Sequence, residues 1–168
     1  MKRLSLILVL VSSLLLMAGG AFAQVTDTAT LVINAAVASR ADLILEVGTI
    51  NFPDADPQTV PSIPATENTV DVTVRVRTGS ASAVTLTHQA AGPLSNGTDT
   101  IAISNVTWTA AGDAGFVGGT MSSGAPVTAG TWTGPGNRSG TFSYFLANSW
   151  AYALGNYTVS STYTLTIP

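Results

Sequence analysis

The stretch "GNYTVSSTYTLTIP", residues 155–168, decides the fold. From Tyr157 onward every second residue can face a core: Tyr157, Val159, Ser161, Tyr163, Leu165 and Ile167, with Thr or Ser at each position between. Period-two alternation in aromatic and β-branched residues is the pattern of a half-buried strand. Nothing in the chain follows Pro168, so this strand is expected at a sheet edge. Such an edge carries a row of free N–H and C=O groups and has little charge to protect it, which makes it a template for pairing with another strand.

The same period recurs upstream. "TVDVTVRVRT" (residues 69–78) places Val70, Val72, Val74 and Val76 on one face, and Asp71, Thr73, Arg75 and Arg77 on the other. Residues 28–39, 41–52, 82–89, 99–110 and 140–149 read as further strands. A change of parity near Ser104 and Asn105 predicts a bulge or bend. "GPLSNG" (residues 92–97) predicts a turn, because Asn-Gly tolerates left-handed conformations. Residues 53–68 carry four prolines, which lack an N–H for a ladder, and predict a loop with at most an edge fragment. Residues 110–140, rich in Gly, Ala, Ser and Thr, predict loops with one or two short strands, such as "APVTAGTWTG". The total is about seven strands with Gly, Pro and Asn turns, which predicts an all-β, antiparallel β-sandwich of immunoglobulin-like type, with a barrel as the alternative. Tyr157, just after a corner, is placed to hydrogen-bond back into it.

At the other end, Lys2 and Arg3 precede an apolar run, and Ala21-Phe22-Ala23 supplies small residues for cleavage. That is the order of a bacterial-type secretory signal peptide, predicted over residues 1–23 with cleavage before Gln24. The remaining chain carries four arginines and no lysine against nine acidic residues. It therefore lacks the basic footprint needed for nucleic acid or an anionic membrane, and no insertion into the bilayer is expected once the leader is removed. Cysteine is absent, so no disulfide staples the fold.

Two features of the sequence are unmatched. The final strand has an open edge, and residues 28–37 hold a spare alternating segment with Leu31, Ile33, Ala35 and Val37 on one side. One solution serves both: the N-terminal strand of one molecule fills the edge of the next. Residues 24–39 then form a donor-strand segment and residues 40–168 an incomplete sandwich, with Tyr157, Val159, Tyr163, Leu165 and Ile167 as the acceptor edge.

"ATLVINAAVASRADLILEVGTINF" near the N-terminus, together with the closing "GNYTVSSTYTLTIP", resembles the major subunits of archaic chaperone–usher pili, the spore coat protein U-like group. The likeness spans about 45 residues at the two ends. Where that family commonly has a cysteine after the donor segment this chain has Arg40-Ala41, and where the family has Gly after the Phe it has Phe52-Pro53. The resemblance implies an incomplete immunoglobulin-like fold, completed by a donor strand. It further implies a homopolymer growing head-to-tail into a surface filament, secreted by way of the periplasm, with a periplasmic chaperone and an outer-membrane usher as assembly partners.

The chemistry-bearing residues are few. His88 is the sole histidine and shares parity with Val84 and Leu86, so it reads as a core or rim residue rather than a general base. Without cysteine or a second histidine, nucleophilic dyads and zinc sites lack the residues to build them. Asp54 and Asp56 share a loop but fall short of the six to eight oxygens calcium takes, and read as a solvated turn. Trp132 is expected to be exposed in the Gly-rich region. No enzyme activity, cofactor or metal is expected. The expectation is a structural filament subunit; the alternative is a self-complemented exported β-sandwich that uses residues 28–37 as its own last strand and acts as a surface-layer or ligand-binding module.

Overall fold

The computed structural model describes residues 24–168; the expected leader, residues 1–23, lies outside the described residues. The chain divides between Ala36 and Val37 into two units, each taken by itself below. Residues 24–36 form no regular secondary structure, and Leu31 and Ile33 are exposed. The strand expected over residues 28–39 is therefore not formed. Alternation fixes which side chains share a face, but a strand also needs a ladder partner.

Residues 37–168 are all-β. The strands in chain order are β1 (Arg40–Leu45), β2 (Ser62–Pro64), β3 (Val70–Arg77), β4 (Ala83–Ala90), β5 (Leu94–Ser95), β6 (Thr100–Ile101), β7 (Val106–Gly112), β8 (Gly119–Thr120), β9 (Val127–Thr133), β10 (Gly136–Ala147) and β11 (Ser161–Thr166). One sheet has the order β1-β3-β10-β7-β8, with β2 also on β10; the second has the order β11-β4-β9; β5 and β6 form a small hairpin. All pairings are antiparallel. The parity change near Ser104 is a single 3-10 turn, Ile103–Asn105, leading into β7. The strand expected over residues 41–52 starts at Arg40 and ends at Leu45, well before Pro53.

The valines of β3 behave as their spacing dictates. Val70, Val72 and Val74 are buried, while Asp71 and Arg75 on the opposite face are exposed. Strand β10 alternates in the same way, burying Phe142, Tyr144 and Leu146, and from the second sheet β4 contributes Val84, Leu86 and Ala90. Together with Val106 and Trp108 of β7 they fill the space between the layers, as in any aligned sandwich.

One flank of the sandwich is laced shut. Residues 113–118 run from β7 across to β9, where Val117 N–H donates to Ala129 O at 3.0 Å and Thr131 N–H donates to Gly115 O at 3.0 Å. Two tryptophans anchor this flank: Trp108 Nε1–H donates to Val117 O at 3.0 Å and Trp132 Nε1–H to Ala114 O at 2.9 Å. The turn into it needs Gly112, whose φ is 110° and where a Cβ would stand 2.6 Å from the Gly140 Cα. Trp132 is thus half-buried on β9 against Phe116. The expectation of an exposed Trp132 was incorrect, because a glycine-rich stretch still forms a strand where a facing segment covers it.

Candidate functional site: an apolar cleft between two edge strands

The opposite flank is built from β1 at the edge of one sheet and β11 at the edge of the other. Among the described residues no strand pairs with the outer edge of either. Inward residues there are only partly covered: Leu43, Val159, Tyr163 and Leu165 are half-buried, and Leu45 is 37% exposed. Phe142 and Leu86, in the interior strands, are at 0%. The difference marks where the core lacks a wall.

At the end of the sandwich where β1 finishes with Leu45 and β11 starts with Ser161 opens a cleft of about 1290 Å³. Its floor is made of core side chains, including Ile63, Val70, Val106 and Leu146. Its walls come from Leu45, Val47, Ile50 and Phe52 on one side and Tyr157, Val159 and Tyr163 on the other. Ligand pockets of small molecules are commonly 300–1,000 Å³. This cleft is larger, and apolar side chains predominate along it.

At its floor lies an uncharged polar cluster. His88, 2% exposed, stacks on Tyr163 with ring centroids 3.8 Å apart and meets the edge of Trp108 at 5.5 Å. Its Nε2 shares a hydrogen bond of 2.9 Å with Ser161 Oγ, and Nδ1 lies 3.3 Å from Tyr144 Oη. The Tyr144 and Tyr163 hydroxyls are also hydrogen-bonded to each other. Burial pushes the His88 imidazole down to about 4 and the Tyr144 hydroxyl up to about 12. Burial, and then the neighbouring Tyr144, raise Tyr163. The cluster is therefore neutral around pH 7, and it fastens the edge strand β11 to the core.

The five expected acceptor residues are partly brought together. Tyr163 and Leu165 sit inward on β11, while Ile167 lies just past its end. Tyr157 and Val159 precede β11, in an extended segment tied to β5 by reciprocal Ser95–Thr158 backbone bonds of 3.0 and 2.9 Å. Tyr157, Val159 and Tyr163 line the cleft. The expected corner forms: Tyr157 Oη–H donates to Ala153 O at 2.8 Å. Of the expected donor residues, Leu31, Ile33 and Val37 are 81%, 82% and 70% exposed, and Ala35 is exposed too.

The walls from residues 47–52, and Ile101, Ile103 and Met121 at the far side, were not legible as site residues, because no local pattern joins them. Trp150 and Leu154 were also missed; both are exposed, at 75% and 100%, on the loop that rims the cleft. Asp54 and Asp56, in the loop opposite, serve no metal cluster among the described residues. Asp56 Oδ1 instead accepts the Gln58 N–H at 2.9 Å, a self-contained turn.

No protein-family profile matches the chain, and no curated protein matches it. Among the described residues no helix is long and apolar enough to cross a membrane.

Proposed function

We propose that this protein is the structural subunit of a secreted surface filament, polymerising by donor-strand complementation. In this reading the apolar segment of residues 28–37 of one molecule fills the cleft of the next. The observation that carries it is the cleft itself, which is mostly apolar, floored by core side chains and next to the unpaired edge of β11 at Ser161 and Tyr163, where an extended apolar strand can enter. An inserted strand pairs with the free edge of β11 and places Leu31, Ile33 and Val37 into the cleft, each worth roughly 1.5–3 kcal/mol of burial. The resemblance of the two chain ends to archaic chaperone–usher pilins supports the same reading, as does the leader sequence for export through the periplasm. A periplasmic chaperone and an outer-membrane usher are the assembly partners it implies.

Direction favours insertion in trans. Strand β11 runs antiparallel to β4, and β1 runs antiparallel to β3, so β11 ends near the side where β1 begins. A donor antiparallel to β11 must finish at the opposite end of the cleft. To re-enter its own β1 it would have to return the length of a strand, about 20 Å at ~3.3 Å per residue, through Ala38 and Ser39, which together span about 7 Å. A second molecule has no such constraint.

The test is a chain lacking residues 24–38, melted with and without a peptide of residues 28–38. The shortened chain is expected to be monomeric and prone to aggregation. At ~100 Kd of peptide its Tm should rise by about 6 °C or more, from a linkage of about 2.7 kcal/mol. An unchanged Tm at saturating peptide refutes the proposal and favours a domain complete in itself.

A further inference from the structure

We propose that successive subunits meet through oppositely charged poles, so that a second copy of this chain docks its cationic end on the anionic end where the cleft opens; this rests on the donor-strand reading above. The antiparallel register sorts the charges by end. Arg40 of β1 stands opposite Arg77 of β3, and Asp42 opposite Arg75, which also reach each other as an ion pair at 3.5 Å. Arg138 of β10 is opposite Val74, two residues from the Gly136–Val76 pair. Arg40 and Arg77 therefore stand at one end of the sandwich, with Arg75 and Arg138 two to three residues inward and Asp42 and Asp113 the acids beside them.

The other end is acidic throughout. Glu46 and Asp71 lie where β1 finishes and β3 begins, joined by Glu46 N–H donating to Asp71 O at 3.1 Å. Asp54 and Asp56 sit in the loop that Asn148, just past the end of β10, ties down through Ala55 O and Val60 O. Glu67 holds Asn51 there, and Asp99 closes the β5–β6 turn beside Thr158. Among the described residues no arginine or lysine accompanies them at this end. Along β3 the Arg40–Arg77 pair stands six residues from Asp71, about 20 Å at ~3.3 Å per residue, which exceeds the Debye length of about 10 Å at 0.1 M salt. The poles act as two distinct patches.

Geometry then matches the patches to each other. The cleft is rimmed at the acidic end, by residues 45–57 and 148–158. The body of each chain begins next to Arg40, at the cationic end. A donor strand inserted antiparallel to the β11 of its acceptor ends at the acceptor's acidic pole and leads directly into its own subunit's cationic pole. A donor inserted parallel would instead set the two arginine clusters against each other. Opposite potentials favour the antiparallel direction and speed encounter, and this effect fades as salt rises.

Assembly of the exported chain, followed by light scattering and negative-stain microscopy after dilution from urea, tests this. Three variants are compared with wild type at about 0.05 M and about 0.5 M salt: R40E with R77E, E46K with D54K, and all four changes together. Each single-pole reversal is expected to slow assembly about tenfold or more at low salt and to approach wild type at high salt. The four-fold reversal restores both complementarity and rate. Single-pole variants that assemble at the wild-type rate at low salt, while retaining the wild-type Tm, overturn the polar docking and leave the donor-strand reading intact. No filament from wild type at either salt, in a folded protein, overturns both.

Discussion

Replacing His88 with Gln should flatten the acid side of the stability curve. His88 is buried among Trp108, Tyr144, Ser161 and Tyr163, with Val127 opposite on β9, and no carboxylate is among these neighbours to receive a charged imidazole. Its folded value of about 4 lies below the ordinary 6.5. Between those values the unfolded chain binds more protons than the folded one, so stability falls as pH falls through this window and is fully present above about 6.5. From about pH 7.5 to about pH 4.5 the loss attributable to this residue is about 2.5 kcal/mol. With a urea slope of about 1.5 kcal/mol per M, the wild-type midpoint should drop by roughly 1.7 M more than that of His88→Gln over the same range. The glutamine variant starts less stable at neutral pH, because it loses the stacking on Tyr163, and converges toward wild type on acidification. Urea titrations of both proteins on the monomeric chain lacking residues 24–38 measure this without interference from polymer. Parallel pH dependences in the two proteins would refute the reasoning, placing His88 in contact with water or with a counter-charge.

The remaining predictions concern the donor segment and the corner. Ile33→Asp would carry an uncompensated charge into an apolar cleft, a cost of several kcal/mol, and should abolish filaments on micrographs while leaving the Tm of the body unchanged. Tyr157→Phe removes the hydroxyl bond to Ala153 O and should cost about 1 kcal/mol in denaturant titrations, the net worth of such a bond.

Most strands of the body were legible in the chain, because alternation is local, whereas the equally alternating residues 28–39 form none for want of a ladder partner. The valines of β3, the run of β10 and the Tyr163–Leu165 face of β11 each read correctly from residue order alone, and so did the Tyr157 corner, which needs only a tyrosine after a turn. All-β class followed from the same pattern together with the scarcity of charge. The pairing of strands is another matter. Ladder hydrogen bonds join any two backbones, so nothing in "STYTLT" names β4 as its neighbour rather than β10. The tertiary structure decided that β11 and β1 stand at the two edges of one flank, that residues 113–118 close the other, and that Ile50, Phe52, Ile101 and Tyr163 share a cleft although they are far apart in sequence. It covered Trp132 with Phe116, against expectation, and left Trp150 exposed on the rim. It also set Arg40 beside Arg77 at one pole, with Arg75 and Arg138 just inward, because an antiparallel register brings the start of one strand beside the end of its partner. Side-chain periodicity fixes which way a residue faces; only packing fixes what it meets there.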